Sequence, residues 1–123
     1  MFLTRDQILN ADDLKYEEVD APEWGGVIRL KVMTGIERYD FEQSVFDMKG
    51  KDTKVNLKNF RAKLLVKTIV DEQGKRVFEE LDIERLSTKS SKVLDKLFTK
   101  AQEINGIGQK EVAELTGNSE ASQ

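Results

Sequence analysis

Among the side chains able to do chemistry in this 123-residue sequence, the carboxylates come first, 23 Asp and Glu against 20 Lys and Arg. They gather as Asp12–Asp13, Glu17–Glu18 and Glu79–Glu80 with Asp82. A calcium loop alternates its ligands around a central glycine, and none of these clusters has that spacing. Two carboxylates can also divide the work of acid and base, but adjacent acids on short polar segments fit a solvent-facing role better. Histidine and cysteine are absent. That removes the commonest general base near neutral pH, the usual transition-metal ligands and any thiolate nucleophile. It also removes disulfides, as suits a reducing compartment. Gly25–Gly26 and Gly106–Ile107–Gly108 lack the further glycines and the lysine of a phosphate-binding loop, so they read as a turn and a helix stop. We expect no catalytic residue, no cofactor and no metal site.

Two stretches point toward nucleic acid instead. IGQKEVAELTGNS, residues 107–119, looks like the first helix and turn of a helix-turn-helix. A recognition helix must follow such a turn, and only six residues remain after Gly117, with no Lys or Arg among them. The motif is incomplete. The second stretch, from Lys49 to Lys67, carries Lys49, Lys51, Lys54, Lys58, Arg61, Lys63 and Lys67 against Asp52 alone. Its one aromatic, Phe60, falls on an apolar stripe, whereas a base-stacking platform needs aromatics beside the charges. With a net charge of −3, the whole chain has no long-range attraction for phosphate. The stretch reads as a solvated basic face, as a dock for an acidic protein, or as the surface of a small nucleic-acid-binding regulator.

The elements that must carry these residues follow from periodicity. Thr4 caps a short helix with Ile8 and Leu9, ended by Asn10. Ile28, Leu30 and Val32 alternate with Arg29 and Lys31, the pattern of a half-buried strand, and Lys15–Val19 forms a weaker one. DAPEWGG joins them in a hairpin, its Trp24 being either the lid of the core or an exposed anchor for a partner. Two strands alone are marginal, so the hairpin must lie on helices. Thr34 and Glu37 form a capping box for a helix running through Met48. The KGKDTK loop follows, and then a helix over about Val55–Val70. Leu57, Phe60 and Leu64 form one apolar stripe there, and Ala62, Leu65, Val66 and Ile69 a second. Either one stripe meets the core and the other a partner, or both are core. Gly74 marks a turn, and a short helix spans Phe78–Leu86. Ser87, Thr88 or Ser90 then caps a one-sided helix with Val93, Leu94, Leu97, Phe98, Ala101 and Ile104 inward, stopped by Asn105–Gly106. A last short helix covers Gln109–Leu115. The fold class is α+β: an N-terminal β-hairpin packed against a mainly helical bundle of four or five helices. One domain spans residues 1–116, and residues 117–123 form a disordered tail. The start lacks a secretory signal and no run reaches membrane-span length, so a soluble cytoplasmic protein is expected.

Four segments carry a resemblance to a known family: FLTRDQILNADDLKYEEVDAPEWGG, MTGIERYDFE, NFRAKLLVKTIVDEQGKRVF and LDIERLSTKSSKVLDKLFTKAQEINGI, the last running into NSEAS. In this order they resemble the tail assembly chaperones of long-tailed phages and prophages. The resemblance implies a non-enzymatic role in virion morphogenesis, in the host cytoplasm and not in the mature virion. Its implied partners are the tape measure protein, which such chaperones keep soluble, the tail tube protein, and further copies of the chain. Many members of the family are made in two forms, the longer by ribosomal frameshifting near the end of the shorter frame. On that reading the bifacial helix is the partner-binding element, through Leu57, Lys58, Phe60, Arg61 and Leu64.

Overall fold

The computed structural model describes residues 1–47, 54–55 and 59–107. The expectations for Met48, most of the KGKDTK loop, Leu57–Lys58, the Gln109–Leu115 helix and the tail lie outside the described residues.

The chain opens with helix α1, Arg5–Leu9. Thr4 Oγ1 accepts from the Gln7 backbone N–H at 3.2 Å, and the Gln7 Oε1 accepts from the Thr4 N–H at 2.9 Å, a reciprocal cap that satisfies two otherwise orphaned donors. Strands β1 (Tyr16–Ala21) and β2 (Gly26–Lys31) then form an antiparallel hairpin with Tyr16 opposite Lys31 and Ala21 opposite Gly26. Pro22–Trp24 makes one 3-10 turn at the tip, and Gly25 closes it at φ 86°, a left-handed conformation that glycine adopts without steric cost.

Helix α2, Gly35–Val45, starts at the expected capping box: Thr34 Oγ1 accepts from Glu37 N–H at 3.1 Å, and Glu37 Oε1 accepts from Thr34 N–H at 2.9 Å. It stops at Val45 instead of continuing to Met48. Phe46–Asp47 (β3) pairs antiparallel with Lys54–Val55 (β4), so Val55 does not start the next helix either. Asn59 holds φ 58°, a conformation that interrupts helix geometry and that Asn tolerates better than most residues. Helix α3 therefore runs only from Phe60 to Thr68. The expected helical end at Ile69–Val70 is strand β5, which pairs with β2 through Leu30↔Ile69 and Arg29↔Val70. Two β-branched residues suit this pleated, buried position, and the hairpin becomes a three-stranded sheet of order β1-β2-β5. A turn with Gly74 at φ 81° follows, where Asp71 Oδ1 accepts from the Gln73 and Lys75 backbones.

Phe78–Leu86 divides into a 3-10 turn, Glu80–Asp82, and helix α4, Ile83–Leu86. Helix α5, Ser91–Ile104, begins after Ser90 and ends at Asn105 and Gly106, with Gly106 at φ 67°. Its inward stripe of Val93, Leu94, Leu97, Phe98 and Ala101 is buried. The core lies where α3 and α5 cross beneath the sheet, with Leu30 and Met33 from above and Phe41 and Val45 from α2. Phe41, Phe60 and Phe98 form a ladder with ring centroids 5.7 and 5.4 Å apart, the tilted geometry that aromatic quadrupoles favour.

One side chain fastens the sheet to α5. Asn105 Oδ1 accepts from the Met33 backbone N–H at 2.7 Å, while its Nδ2 donates to the Ala101 carbonyl at 2.9 Å and the Lys31 carbonyl at 3.3 Å. Arg38 adds a bond to the Asn105 carbonyl at 2.9 Å. The architecture is α+β, as the periodicity indicates, with a third strand and a small second ladder added.

Candidate partner-binding surface

Of the three sequence-derived partner residues that are described, Phe60 and Leu64 are internal. Leu64 is 0% exposed and Phe60 8%. The second stripe, Ala62, Leu65, Val66 and Ile69, is buried as well, so the helix is apolar on two sides because the chain itself covers both. Arg61 stands at the surface, ion-paired to Asp95 on α5 with its guanidinium 5.6 Å from the Phe98 ring centre. Leu57 and Lys58 lie outside the described residues.

The three members of the basic cluster with described side chains, Arg61, Lys63 and Lys67, are tied to the fold. Besides the Arg61–Asp95 pair, Lys63 Nζ donates to the Ser44 carbonyl at 2.8 Å, and partial burial pushes its ammonium below the usual lysine range. Lys67 is buried with its ammonium 3.4 Å from Glu80.

Among the described residues, and besides single side chains such as Leu81 and Tyr16, open apolar surface gathers in three other places. Ile36, 76% exposed, and Tyr39, 60% exposed, stand one turn apart on the outer face of α2. This face is rigidly based. Lys31 and Glu37 form a half-buried ion pair at 2.7 Å. Burial pushes the Glu37 carboxyl up, but hydrogen bonds from Lys31 and from the Thr34 backbone, together with the lysine charge, outweigh it and leave the group below the ordinary carboxylate range.

The second place is a trough at the tip of the hairpin. Trp24 and Phe78 are half-buried against the core and line two adjoining hollows. One, of about 390 Å³, continues over Leu86 to Arg85 and Lys89. The other, of about 460 Å³, continues over Val27, Ile28 and Val77. Trp24 packs against the core, as the first of its two readings has it, and its outer side lines the hollows. The third place is α1, none of whose residues is buried.

Sequence reasoning passed over Val27, Val77 and the α2 face as surfaces. Val27 was detectable, since the alternation that turns Ile28 and Leu30 inward turns Val27 outward. Ile36 and Tyr39 were visible as a stripe, but Phe41 and Val45 make an equally good one, and only packing shows which of the two is covered. No helix among the described residues is long and apolar enough to cross a membrane. Nor do the described residues contain a group of three or more potential metal-binding side chains.

Comparison with known proteins agrees with this geometry. Residues 4–118 match the model of a family described as phage tail assembly chaperone. Among solved structures, the bacteriophage HK97 tail assembly chaperone superposes with a TM-score of 0.56, covering 80% of this chain and 90% of that one at 22% identity. At that identity the likeness speaks for the fold. No curated protein matches the sequence.

Proposed function

The chain belongs to the phage tail assembly chaperone family, and from that premise we propose that its client is the tape measure protein. Bound along that long helical protein in many copies, it keeps the client soluble in the host cytoplasm and helps bring tail tube subunits to it. The role is non-enzymatic, and the chaperone leaves as the tube closes and is absent from the mature virion. The observation that carries this reading is the extent of the family match, which takes in every element from α1 to α5.

The client contact is the outer face of α2, together with the sequence-derived residues Leu57, Lys58 and Arg61. Ile36 and Tyr39 supply exposed apolar area of the kind that receives the stripe of an amphipathic helix. Phe60 and Leu64 are buried and serve the core at α3 instead of meeting the client directly. A rigid base helps, because an ordered surface gives up little conformational freedom on binding. The Thr34–Glu37–Lys31 arrangement provides that base.

The test is co-purification of the tagged chain with a tape measure protein from the same genome. The double variant Ile36→Asp, Tyr39→Asp leaves the fold intact, since both side chains are exposed, and is expected to lose the client. Retention of the client by a folded double variant refutes the α2 face. Absence of client from the wild-type pull-down refutes the function.

A further inference from the structure

Gly35 leaves a gap in the surface of α2. On this helix Gly35, Arg38, Tyr39 and Glu42 stand on one strip, spaced three and four residues apart. At Gly35 the strip has no side chain, and a Cβ placed there would meet nothing within 4 Å. The gap belongs to a hollow of about 410 Å³ that the strip shares with Val32, Met33 and Asn105. Tyr39 thus stands between Ile36, its exposed apolar neighbour on the helix, and an open hollow with apolar side chains in its wall.

Acids flank the apolar pair on both sides. At 3.6 residues per turn, Asp40 falls about 40° beyond Ile36 and Glu42 about 60° beyond Tyr39 around the helix axis. The Asp40 carboxylate pairs with no cation among the described residues. Glu42 meets Arg38 only at 3.6 Å, while Arg38 also donates to the Asn105 carbonyl at 2.9 Å. The other cations near α2 are engaged elsewhere, Lys31 with Glu37 and Lys63 with the Ser44 carbonyl. The outer face of α2 therefore carries an excess of negative charge around an apolar centre.

We infer that α2 selects a basic amphipathic helix. Its apolar stripe lies on Ile36 and Tyr39, one large apolar side chain enters the Gly35 hollow, and Lys or Arg residues beside the stripe meet Asp40 and Glu42. The inference rests on the α2 reading of the client contact and adds the chemistry of the client segment. An enclosed apolar cavity of about 150 Å³ already accepts a benzene ring, so the hollow has room for a leucine or a phenylalanine. An anchor seated in a pocket dominates contacts of this kind, and the charges around it decide which helix is taken. A helix with acidic flanks meets carboxylates and is rejected. A second copy is rejected on the same ground, because its own α2 face would set like charges together. Nor does α5 offer a copy's stripe, since its apolar face is buried in its own core.

Two labelled peptides of equal length test this by fluorescence anisotropy with the full-length chain. Both carry leucines at helical spacing, one with lysines beside the stripe and the other with glutamates. The lysine peptide is expected to bind at least tenfold tighter at low salt, and the difference should shrink as salt is raised. Gly35→Leu, which grows a side chain into open space, should keep the thermal transition and weaken the lysine peptide at least tenfold. Asp40→Lys with Glu42→Lys should reverse the preference. Equal binding of the two peptides overturns the inference, and so does a folded Gly35→Leu chain that binds as the wild type does. Binding that appears only after Val112→Asp with Leu115→Asp overturns it as well, by setting the chain's own residues over the face. Ile36→Asp with Tyr39→Asp separates the two levels. If that variant binds the lysine peptide as the wild type does, the α2 reading itself fails. If it loses both client and peptides while the wild type binds the two peptides alike, only the charge selection fails.

Discussion

Replacing Leu64 by Ala separates core from surface in the segment that sequence alone marks for partner binding. Leu64 is 0% exposed on a helix packed against α5, α2 and α4. With neighbours on three sides the site has little freedom to collapse around the lost atoms. Leu→Ala in such cores costs about 2–5 kcal/mol, and we place this one at about 3 kcal/mol. For a domain whose whole stability is on the order of 5–15 kcal/mol that is a large share. It corresponds to a fall of roughly 12 °C in Tm, or of about 1.5–2 M in the urea midpoint. Urea titration followed by far-ultraviolet circular dichroism and by Trp24 emission measures it, and the two probes should give one transition. Arg61→Ala, at an exposed ion pair, should cost under about 1 kcal/mol in the same assay. A Leu64→Ala midpoint within about 0.5 M of wild type, with unchanged slope, would refute the reasoning and return that face to the surface. Substitutions at Leu64 therefore report on folding before they report on binding.

Three further outcomes are expected. Asn105→Ala removes an acceptor and two donated bonds that join the sheet to α5; leaving the Met33 amide without its partner should cost about 2–3 kcal/mol and speed hydrogen exchange there. Glu37 has a folded-state pKa below its unfolded value, so its contribution is present above about pH 4.3 and is lost as pH falls through the folded value. Wild-type stability should decline on that acid limb, and Glu37→Gln should flatten the decline in chemical denaturation run from pH 7 to 3. Thr4→Ala removes the α1 cap, worth about 1 kcal/mol to that helix. Since α1 buries nothing, exchange at Gln7 should rise while the global transition stays in place; a lowered Tm would show α1 packed on its own domain.

Local chemistry explains what was legible in the sequence. Thr4, the Thr34–Glu37 box, Gly74 and Asn105–Gly106 act through hydrogen bonds and backbone preferences within four residues, so their spacing suffices. Helix α5 was legible because one face is wholly apolar and the other wholly polar. Strand β5 was not, since Leu64–Val70 is apolar enough to satisfy either period, and the choice is made by Leu30, far away in sequence, which pairs with Ile69. The same limit applied at Val45, where the helix yields to the pairing of Phe46–Asp47 with Lys54–Val55. The two stripes of α3 were read from periodicity, but what covers them is a property of α2, α4 and α5. The exposed surfaces were hardest to see, because Ile36 and Tyr39 differ from Phe41 and Val45 in surroundings and not in type.

The central claim, that this chain chaperones the tape measure protein, is tested most directly by the solubility of that protein. A tape measure protein from the same genome is expressed with and without this chain, and the soluble fraction is measured after centrifugation. Co-expression with the wild-type chain is predicted to move most of the tape measure protein into the soluble fraction, and co-expression with Ile36→Asp, Tyr39→Asp is not. An equally soluble, or equally insoluble, tape measure protein with and without the chain would contradict the account.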